Sequence, residues 1–277
     1  MSRSAPLFSA VILSYNSARY LGHCLDTLAA AFDAFPEPSE IWVVDNGSQD
    51  GSVQLIAAAA ARHPGMVRPI CLPVNTGTTV SRNRALRAAE GRYVLVLDSD
   101  ATITAEALAK LKALLDRDAE VGIAVPRLNY PDGRFQISTD RFPTVTRKLQ
   151  RLLHLKAMEQ AAVAPRAACD VDYAISACWL FRRELLERVG LLDENIFYSP
   201  EDVDYCVRVW LAGYRIVYEP AATAIHDAQE LSRGKKLGKF TFKHAEGLGY
   251  YFRKHGYWFT LGGLYRRITN AAPRHAG

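Results

Sequence analysis

The feature that most limits the possible folds is a regular alternation of apolar and helix-forming segments between Phe8 and Pro126. Short runs rich in Val, Ile and Leu alternate with stretches rich in Ala, Leu, Arg and Lys, whose apolar spacing is typical of helices. Because the short runs are continuously apolar, we expect helices to cover both faces of a mostly parallel sheet. The predicted strands are Phe8–Leu13, Ile41–Val44, Val67–Leu72, Tyr93–Leu97 and Val121–Val125, and the predicted helices are Arg19–Ala31, Val53–Ala61, Thr78–Ala89 and Ala105–Leu115.

The regular alternation of strand and helix signals ends after Pro126. Asn129–Arg134 predicts a tight turn, and Phe142–Arg166 has no strong strand signal and is predicted to be a loop. The segment from Asp170 to His226 is again mixed, and a basic, aromatic tail follows. It contains a strand signal at Val171–Phe181, helices at Arg183–Val189 and Val203–Ala212, and short strands at Arg215–Tyr218 and Thr223–His226. We therefore divide the α/β chain into one domain over 1–231, with halves at about 8–126 and 127–231, and a helical tail over 232–277.

Composition excludes several classes of protein. In 277 residues, 49% hydrophobic and 23% charged residues are the balance of an ordinary globular protein, not of a disordered or fibrous one. The 34 basic and 29 acidic residues leave a charge of +5, which is too small to indicate nucleic-acid binding.

The five cysteines are an odd number without C-x-x-C spacing, and no secretory signal opens the sequence, so a reduced, cytosolic setting is expected. No apolar run reaches the length of a transmembrane helix.

Polar loops follow the first, second and fourth predicted strands, and the carboxyl ends of parallel strands meet at one sheet edge. These loops are Ser14–Tyr15–Asn16, Asp45–Ser52 and Asp98–Ser99–Asp100. An acidic residue at the position of Asp45 is placed to accept hydrogen bonds from a ribose or a base edge. The alternative is purely structural, with Asn46–Gly47 as a turn and Ser52 as a helix cap.

Asp98 and Asp100 place two carboxylates beside each other directly after an apolar strand. Mg²⁺ and Mn²⁺ bind through one or two carboxylates and complete their shell with water and phosphate oxygens, so the pair predicts a metal-bound diphosphate. The alternative is that Asp100 or Thr104 simply caps the helix at Ala105.

Asn75–Asn83, which contains Gly77 and Arg82, leads into a predicted helix. Its backbone N–H groups and Arg82 are suited to hold a phosphate, although a solvated helix start is the competing interpretation.

Farther on, Glu201, Asp202 and Asp204 begin another helix. Three acids exceed the need of capping, and a carboxylate in a cleft is a common general base. His226 follows a short apolar strand and is suited to complete a divalent metal site, or is a structural histidine.

In this order along the chain, these motifs resemble those of family 2 glycosyltransferases over about residues 8–233, in particular the rhamnosyltransferase-like branch that builds bacterial surface polysaccharides and glycolipids. The resemblance implies a GT-A fold, a UDP-, dTDP- or GDP-sugar donor, Mn²⁺ or Mg²⁺, and inversion at the anomeric carbon. It also implies a glycan or polyprenyl-linked acceptor. Asp98 stands where many rhamnosyltransferase-like relatives carry Asn, which weakens the case for a rhamnose donor, and the loop after Asn75 lacks an aromatic residue often found there.

The resemblance also assigns roles to individual residues. Donor binding falls to Ser14, Tyr15, Asn16, Asp45, Asn75, Gly77, Arg82, Asp98 and Ser99; metal binding to Asp100 and His226; general base catalysis to Asp202; and acceptor binding, or helix capping, to Glu201 and Asp204.

Two other functions and two interpretations of the tail stay open at this point. A sugar-nucleotide nucleotidyltransferase shares the α/β plan, but its Gly-rich phosphate loop is absent after the first strand; a non-catalytic membrane- or polyanion-binding module is the second alternative. The tail interleaves bases and aromatics over 233–267. Either it lies on the inner face of an anionic membrane as a peripheral contact, or its aromatics pack on the domain. Nucleic-acid binding would leave the polar loops without a role.

Overall fold

A computed structural model describes residues 5–151, 154, 162–227 and 239–271. The strands are β1 (Phe8–Ser14), β2 (Glu40–Asn46), β3 (Val67–Leu72), β4 (Tyr93–Asp98), β5 (Ala101–Ile103), β6 (Val121–Asn129), β7 (Phe135–Gln136), β8 (Thr139–Asp140), β9 (Cys169–Asp170), β10 (Tyr173–Ala174), β11 (Cys178–Arg182) and β12 (Arg215–His226). The helices are α1 (Ala18–Asp33), α2 (Ser52–Arg62), α3 (Thr78–Ala88), α4 (Ala105–Arg117), α5 (145–151), α6 (Glu184–Val189), α7 (Glu201–Leu211), α8 (Lys239–His255) and α9 (Gly262–Ala271).

The main sheet has the order β3-β2-β1-β4-β11-β6-β12-β5, and β7 and β9 pair with β6 and β12 at its side. The first four strands in this order are parallel, β11 is antiparallel to both neighbours, and β12 is parallel to β6. The predicted mostly parallel sheet is therefore confirmed. Strands from both halves of the chain contribute to it, because β11 lies between β4 and β6.

Helices cover both faces of this sheet, as the continuously apolar strands predict. One face packs against α1, α2 and α4, through side chains such as Leu25 and Leu108. The other packs against α3, α7 and the tail helix α8, through side chains such as Val207 and Tyr251. All five cysteines are free thiols.

Three expectations for the second half need correction. The run Val171–Phe181 is not one strand: β10 pairs with β8 in a separate two-stranded sheet, and β11 joins the main sheet. The two strands expected within 215–226 form the single strand β12, whose register with β6 is irregular between Glu219 and Thr223. Part of the loop expected over 142–166 is helix α5, because Arg147 and Arg151 on successive turns both bind Asp140.

The tail packs on the domain in the part that the structure describes. Tyr251, Phe252 and Tyr257 are buried in the same apolar cluster as α7, whereas Trp258 and Phe259 are exposed. The packing interpretation thus holds for most of these aromatics. The start of the predicted tail at 232 lies outside the described residues, so that domain boundary stays a prediction. Among the helices described, none is both long and apolar enough to span a bilayer.

Candidate active site

A cleft of about 490 Å³ opens at the carboxyl ends of β1, β2 and β4. It is closed on the other side by the loop before α7, by the first turn of α7 and by Arg151 of α5. Of the residues predicted to form a site, those that line the cleft are Tyr15, Asn16, Asn75, Gly77, Arg82, Asp98, Ser99, Asp100, Glu201, Asp202 and His226. Ser14, Asp45 and Asp204 are not among the lining residues.

The loops after β1 and β2 are tied to each other by short polar side chains. The Asn16 amide donates to Ser48 Oγ at 2.9 Å, and the Gln49 amide donates back to Asn16 Oδ1 at 2.8 Å. Ser99 Oγ donates to Ser17 Oγ at 2.9 Å, which joins the loop after β4 to the same network. Asn16 has a φ of 51°, a left-handed conformation that asparagine tolerates better than most residues. The three predicted loops therefore form one connected wall.

The loop before α3 belongs to this wall through paired asparagines. Asn46 Nδ2 donates to Asn75 Oδ1 at 3.0 Å, and Asn75 Oδ1 also accepts the Gly77 amide at 2.9 Å. Gly77 has a φ of 88°, and an added Cβ would collide with the carbonyl of Phe197. Glycine is required here because the backbone is left-handed and the loop before α7 passes directly over it.

The pairing of β5 with β12 brings Asp98, Asp100 and His226 together. Ala101 lies opposite His226 in that antiparallel ladder, and the Asp227 amide donates to the Asp100 carbonyl at 2.9 Å. One ligand atom from each of the three side chains lies within 4.8 Å of the others. His226 Nε2 is 3.3 Å from Asp100 Oδ1 and 3.8 Å from Asp98 Oδ2. Two carboxylate oxygens and an imidazole nitrogen form a donor set that fits Mn²⁺ or Mg²⁺.

The imidazole of His226 is held in one orientation. Its Nδ1–H donates a hydrogen bond to Gln136 Oε1 at 2.9 Å, which orients Nε2 toward the two carboxylates. Burial alone lowers the pKa of His226, but Asp100 and Asp98 outweigh this and raise it. The carboxylates thus favour positive charge at this point of the cleft. Helix α4 is capped by Thr104, whose side chain accepts from the Ala107 amide at 3.2 Å, so Asp100 is not needed as a cap.

Arg82 is buried and links the two sides of the cleft. Its Nη2 forms an ion pair with Asp98, its Nη1 donates to Ser176 Oγ at 2.6 Å, and Nη1 is 3.7 Å from Glu201 Oε1. Arg82 therefore does not project freely toward an anion, as a surface phosphate contact would. Asp98, Asp100 and His226 are called the metal-type cluster below. Arg82 carries positive charge between this cluster and the start of α7.

Two of the three acids at the start of α7 face the cleft. Burial and the neighbouring Asp202 carboxylate raise the pKa of Glu201 to about 8. Burial also raises the pKa of Asp202 above its ordinary value, although the Val203 amide, which donates to Asp202 Oδ1 at 2.8 Å, opposes this. A half-buried carboxylate with a raised pKa is suited to accept a proton near neutral pH.

Asp204 requires a correction, because the expected acceptor contact does not fit its position. It is fully buried and points to the tail, where it accepts from His255 Nε2 at 2.8 Å and pairs with Lys254 at 2.7 Å. Arg208, one turn along α7, donates to it at 3.0 Å. The hydrogen bond from His255 and the positive charges of Arg208 and Lys254 hold the pKa of Asp204 below its ordinary value although burial alone would raise it. Asp204 fastens α8 to α7.

Asp45 and Ser14 lie behind the cleft, both with exposures of 1% or less. Asp45 Oδ1 accepts the Ser48 amide at 2.9 Å and so fixes the loop after β2. Within the described residues, Asp45 Oδ2 and Ser14 Oγ have no hydrogen-bond partner. Their roles in donor binding stay predictions.

Several lining residues were not foreseen from the sequence. Gln136, Arg151 and Ser176 line the cleft, as do Phe197 and Ser199 of the loop before α7. Gln136 lies two residues after the predicted turn, but nothing in that pattern indicates a partner 90 residues away. For Arg151 the basic run 147–151 was a usable signal.

Solved structures with the same fold include the mannosyltransferase PcManGT from Pyrobaculum calidifontis, described in complex with GDP-Man and Mn²⁺. It has a TM-score of 0.61 and 21% identity, covering 97% of this chain and 69% of that one. TarS 1-349 from S. aureus, described in complex with UDP-GlcNAc, has a TM-score of 0.63 and 21% identity, covering 95% and 71%. The fold of this chain is thus the GT-A fold.

The sequence comparisons narrow the class further. The chain belongs to glycosyltransferase family 2, whose model, described as glycosyl transferase family 2, matches residues 9–190. The predicted fold, family and enzyme class are confirmed.

Curated relatives include an N-acetylglucosaminyl-diphospho-decaprenol L-rhamnosyltransferase of Mycobacterium tuberculosis, which is 27% identical over 78% of this chain and 74% of that protein. The succinoglycan biosynthesis protein ExoO of Rhizobium meliloti is 30% identical over 84% and 64%. An uncharacterised protein of Mycobacterium tuberculosis is 34% identical over 45% of this chain, and the match spans 36% of its length.

Proposed function

We propose that this chain is an inverting, divalent-metal-dependent glycosyltransferase that moves a sugar from a nucleoside-diphosphate donor to a hydroxyl of a glycan or lipid-linked acceptor in surface polysaccharide or glycolipid synthesis. The observation that carries the proposal is a single cleft with the Asp98, Asp100 and His226 cluster on one wall and the Asp202 carboxylate on the other. We call these the donor wall (14–17, 45–52, 75–82 and 98–100, with His226) and the acceptor wall (197–202 with α5).

Asp98, Asp100 and His226 are the residues that would hold Mn²⁺ or Mg²⁺. The ion supplies positive charge where the departing nucleoside diphosphate becomes more negative. Arg82 adds a fixed positive charge next to Asp98. Asn75 and Gly77 line the cleft at the start of α3, where the positive end of the helix dipole favours a phosphate group.

Asp202 takes the proton from the acceptor hydroxyl as its oxygen attacks the anomeric carbon. The bond to the nucleoside diphosphate breaks on the opposite face, so the anomeric configuration inverts. The raised pKa of Asp202 supports this role, because a base of low pKa would accept the proton weakly. Glu201, whose pKa is raised to about 8, is then mostly protonated near neutral pH. It lies 3.7 Å from Arg82 Nη1 and orients the first turn of α7.

The setting belongs to the same proposal. Five free thiols fit a reduced compartment such as the cytoplasm, and the bases and exposed aromatics of the tail support a peripheral contact with the inner face of the membrane. The lipid-linked acceptor is supported by the relative from Mycobacterium tuberculosis that is named for such a substrate.

The first test is isothermal titration of the protein with UDP, dTDP and GDP, each with and without Mn²⁺. We expect Mn²⁺-dependent binding of one nucleotide, which Asp100→Ala loses and Asp132→Ala, in an exposed turn away from the cleft, retains. Failure of all three nucleotides to bind with Mn²⁺ would refute the donor site. Metal-independent binding that Asp100→Ala leaves intact would refute the role of the cluster.

A further inference from the structure

A basic surface on α5 lies beside the proposed general base. Arg147 and Arg151 stand one helical turn apart and both pair with Asp140 of β8, Arg151 through Nη1 at 2.7 Å. Arg151 also lines the cleft together with Asp202. Lys148, three residues before Arg151, shares that side of the helix.

Lys148 differs from the two arginines because its ammonium group has no hydrogen bond or ion pair in the part of the chain described. Burial lowers the pKa of Lys148, and Arg151 adds to this, while the Asp202 carboxylate opposes it. On the tail side stands His244 of α8, whose pKa is lowered to about 4 by burial and by Lys148. A partly buried cation without a partner is a site where an anion is favoured.

The position of Lys148 assigns this site to the acceptor wall. Arg151, one turn along α5 from Lys148, lines the cleft together with Asp202, and the Asp202 and Asp140 carboxylates act electrostatically on Lys148. The donor diphosphate is expected at that cluster, whereas the acceptor hydroxyl must lie next to Asp202. An anion at Lys148 is therefore a group on the acceptor.

Exposed apolar side chains adjoin the same helix. The Val145 amide of α5 donates to the Trp258 carbonyl at 2.9 Å, and Trp258 stacks on Phe252 at 5.2 Å between ring centroids. Trp258 and Phe259 are 44% and 65% exposed, and Leu149, next to Lys148 and one turn from Val145, is 57% exposed. The cation and this apolar edge together match an amphiphile with a phosphate head and a hydrocarbon chain.

We propose that Lys148 and Arg151 bind the phosphate group of a lipid-linked acceptor whose hydrocarbon chain runs over Leu149, Trp258 and Phe259. This inference rests on the proposed function and names the acceptor class for it. The ammonium of Lys148 supplies a point charge, and the guanidinium of Arg151 supplies further N–H donors to phosphate oxygens.

The experiment measures binding to the full chain by titration in saturating nucleotide and Mg²⁺, so that the donor phosphate site is filled. The probes are octyl phosphate below its micelle concentration, octyl glucoside as the uncharged amphiphile, and inorganic phosphate as the headgroup without a chain. We expect octyl phosphate to bind at least about tenfold more tightly than either of the others, the effect of one charge-assisted contact.

Variants locate the site. Lys148→Gln should weaken octyl phosphate about tenfold, Lys148→Arg should restore it, and Lys110→Gln, on α4 and paired with Glu106, should match the wild type. Phe259→Ser should weaken octyl phosphate without changing inorganic phosphate.

Three outcomes would overturn the proposal: octyl phosphate binding no better than octyl glucoside, equal binding of inorganic phosphate and octyl phosphate, or wild-type binding by Lys148→Gln. A loss of nucleotide affinity in Lys148→Gln would also overturn it, since the cation would then serve the donor. Absence of metal-dependent nucleotide binding defeats the glycosyltransferase proposal instead, and the nucleotide titration detects that separately.

Discussion

The donor wall and the acceptor wall of the cleft are held in place by different means. The donor wall consists of loops at the ends of adjacent parallel strands, and those loops bond directly to one another through Asn16, Ser48 and Ser99. The acceptor wall instead depends on segments distant in sequence. The loop before α7 is fixed by α3, where the Thr78 amide donates to the Phe197 carbonyl at 2.6 Å, and by the tail.

The tail supports the acceptor wall from behind. Gly247 of α8 passes so close to Ser199 that an added Cβ would collide with the Ser199 carbonyl. Asp204 joins α7 to Lys254 and His255, and Lys254 also pairs with Asp193 at 2.6 Å. The comparison suggests that changes in the acceptor wall or the tail affect transfer while nucleotide binding persists.

The largest expected effect is that of Asp202→Asn. The amide cannot take the hydroxyl proton, so we expect kcat to fall by about 10²–10⁴-fold, the contribution typical of a general base. Nucleotide affinity with Mn²⁺ should stay within about twofold, because Asp202 is not in the metal-type cluster. A sugar-transfer assay and titration on the same preparation measure both quantities.

Asp132→Asn serves as the control for Asp202→Asn, because it makes the same chemical change at an exposed turn. Transfer at more than a tenth of the wild-type rate in Asp202→Asn would remove Asp202 from the role of base.

A second large effect is expected from Asp204→Asn, this time on stability. The change replaces the buried carboxylate that accepts from His255 and Arg208 by a neutral amide, and losing a hydrogen bond to a charged group typically costs about 1.5–3 kcal/mol. Urea unfolding of the variant, compared with Asp33→Asn at the exposed end of α1, measures the loss. Equal stability of the two variants would show that the link between α7 and α8 contributes little.

The donor wall was largely predictable from the sequence because its signals are local. Apolar runs set the strands, and the polar residues that follow them at Ser14, Asp45 and Asp98 fall at one edge by the topology of a parallel sheet. Asp204 shows the limit of this reasoning. Its role depends on His255, 51 residues later, and an acid in the first turn of a helix has the same sequence signal whether it faces a ligand or a buried imidazole.

The same limit applies to several strands and to one helix of the second half. The run Val171–Phe181 has the composition of one strand, yet its parts pair with β8 and β4 in different sheets. Helix α5 was not predicted because it is stabilised by two arginines on Asp140, a contact outside the helix itself. The secondary structure of these segments is decided by their tertiary contacts and not by their intrinsic propensity.

Gly247→Ala and Gly249→Ala form a matched pair on α8 that tests the support of the acceptor wall. Alanine favours a helix by about 1 kcal/mol over glycine at both positions. At Gly249 nothing lies within 4 Å of the new Cβ, so we expect wild-type transfer and equal or higher stability. At Gly247 the methyl group must displace Ser199 and the start of α7, and we expect stability to fall by about 1–3 kcal/mol, as for overpacking.

The functional consequence of Gly247→Ala should be a lower kcat with little change in nucleotide affinity, since the displaced start of α7 carries Asp202 and not the metal-type cluster. Steady-state kinetics and thermal unfolding of the two alanine variants provide the comparison. Equal kcat in both would mean that the tail does not position the acceptor wall.

The smallest expected effect concerns Glu201 and depends on pH. Its pKa is raised to about 8 in the folded protein, because of burial and of Asp202, from an ordinary value of 4.5. Between these values the folded state binds more protons than the unfolded state, so this residue makes the protein less stable as pH rises from about 4.5 to 8.

Glu201→Gln removes the titration and keeps the shape of the side chain. We therefore expect the Tm of the variant, relative to wild type, to increase from pH 5 to pH 8.5 by at least about 3 °C, which corresponds to about 1 kcal/mol for a protein of this size. Thermal unfolding at several pH values without nucleotide measures the difference, with Glu106→Gln at an exposed position of α4 as the control. A difference in Tm that stays constant with pH would mean that Glu201 is ionised at no cost beside Arg82.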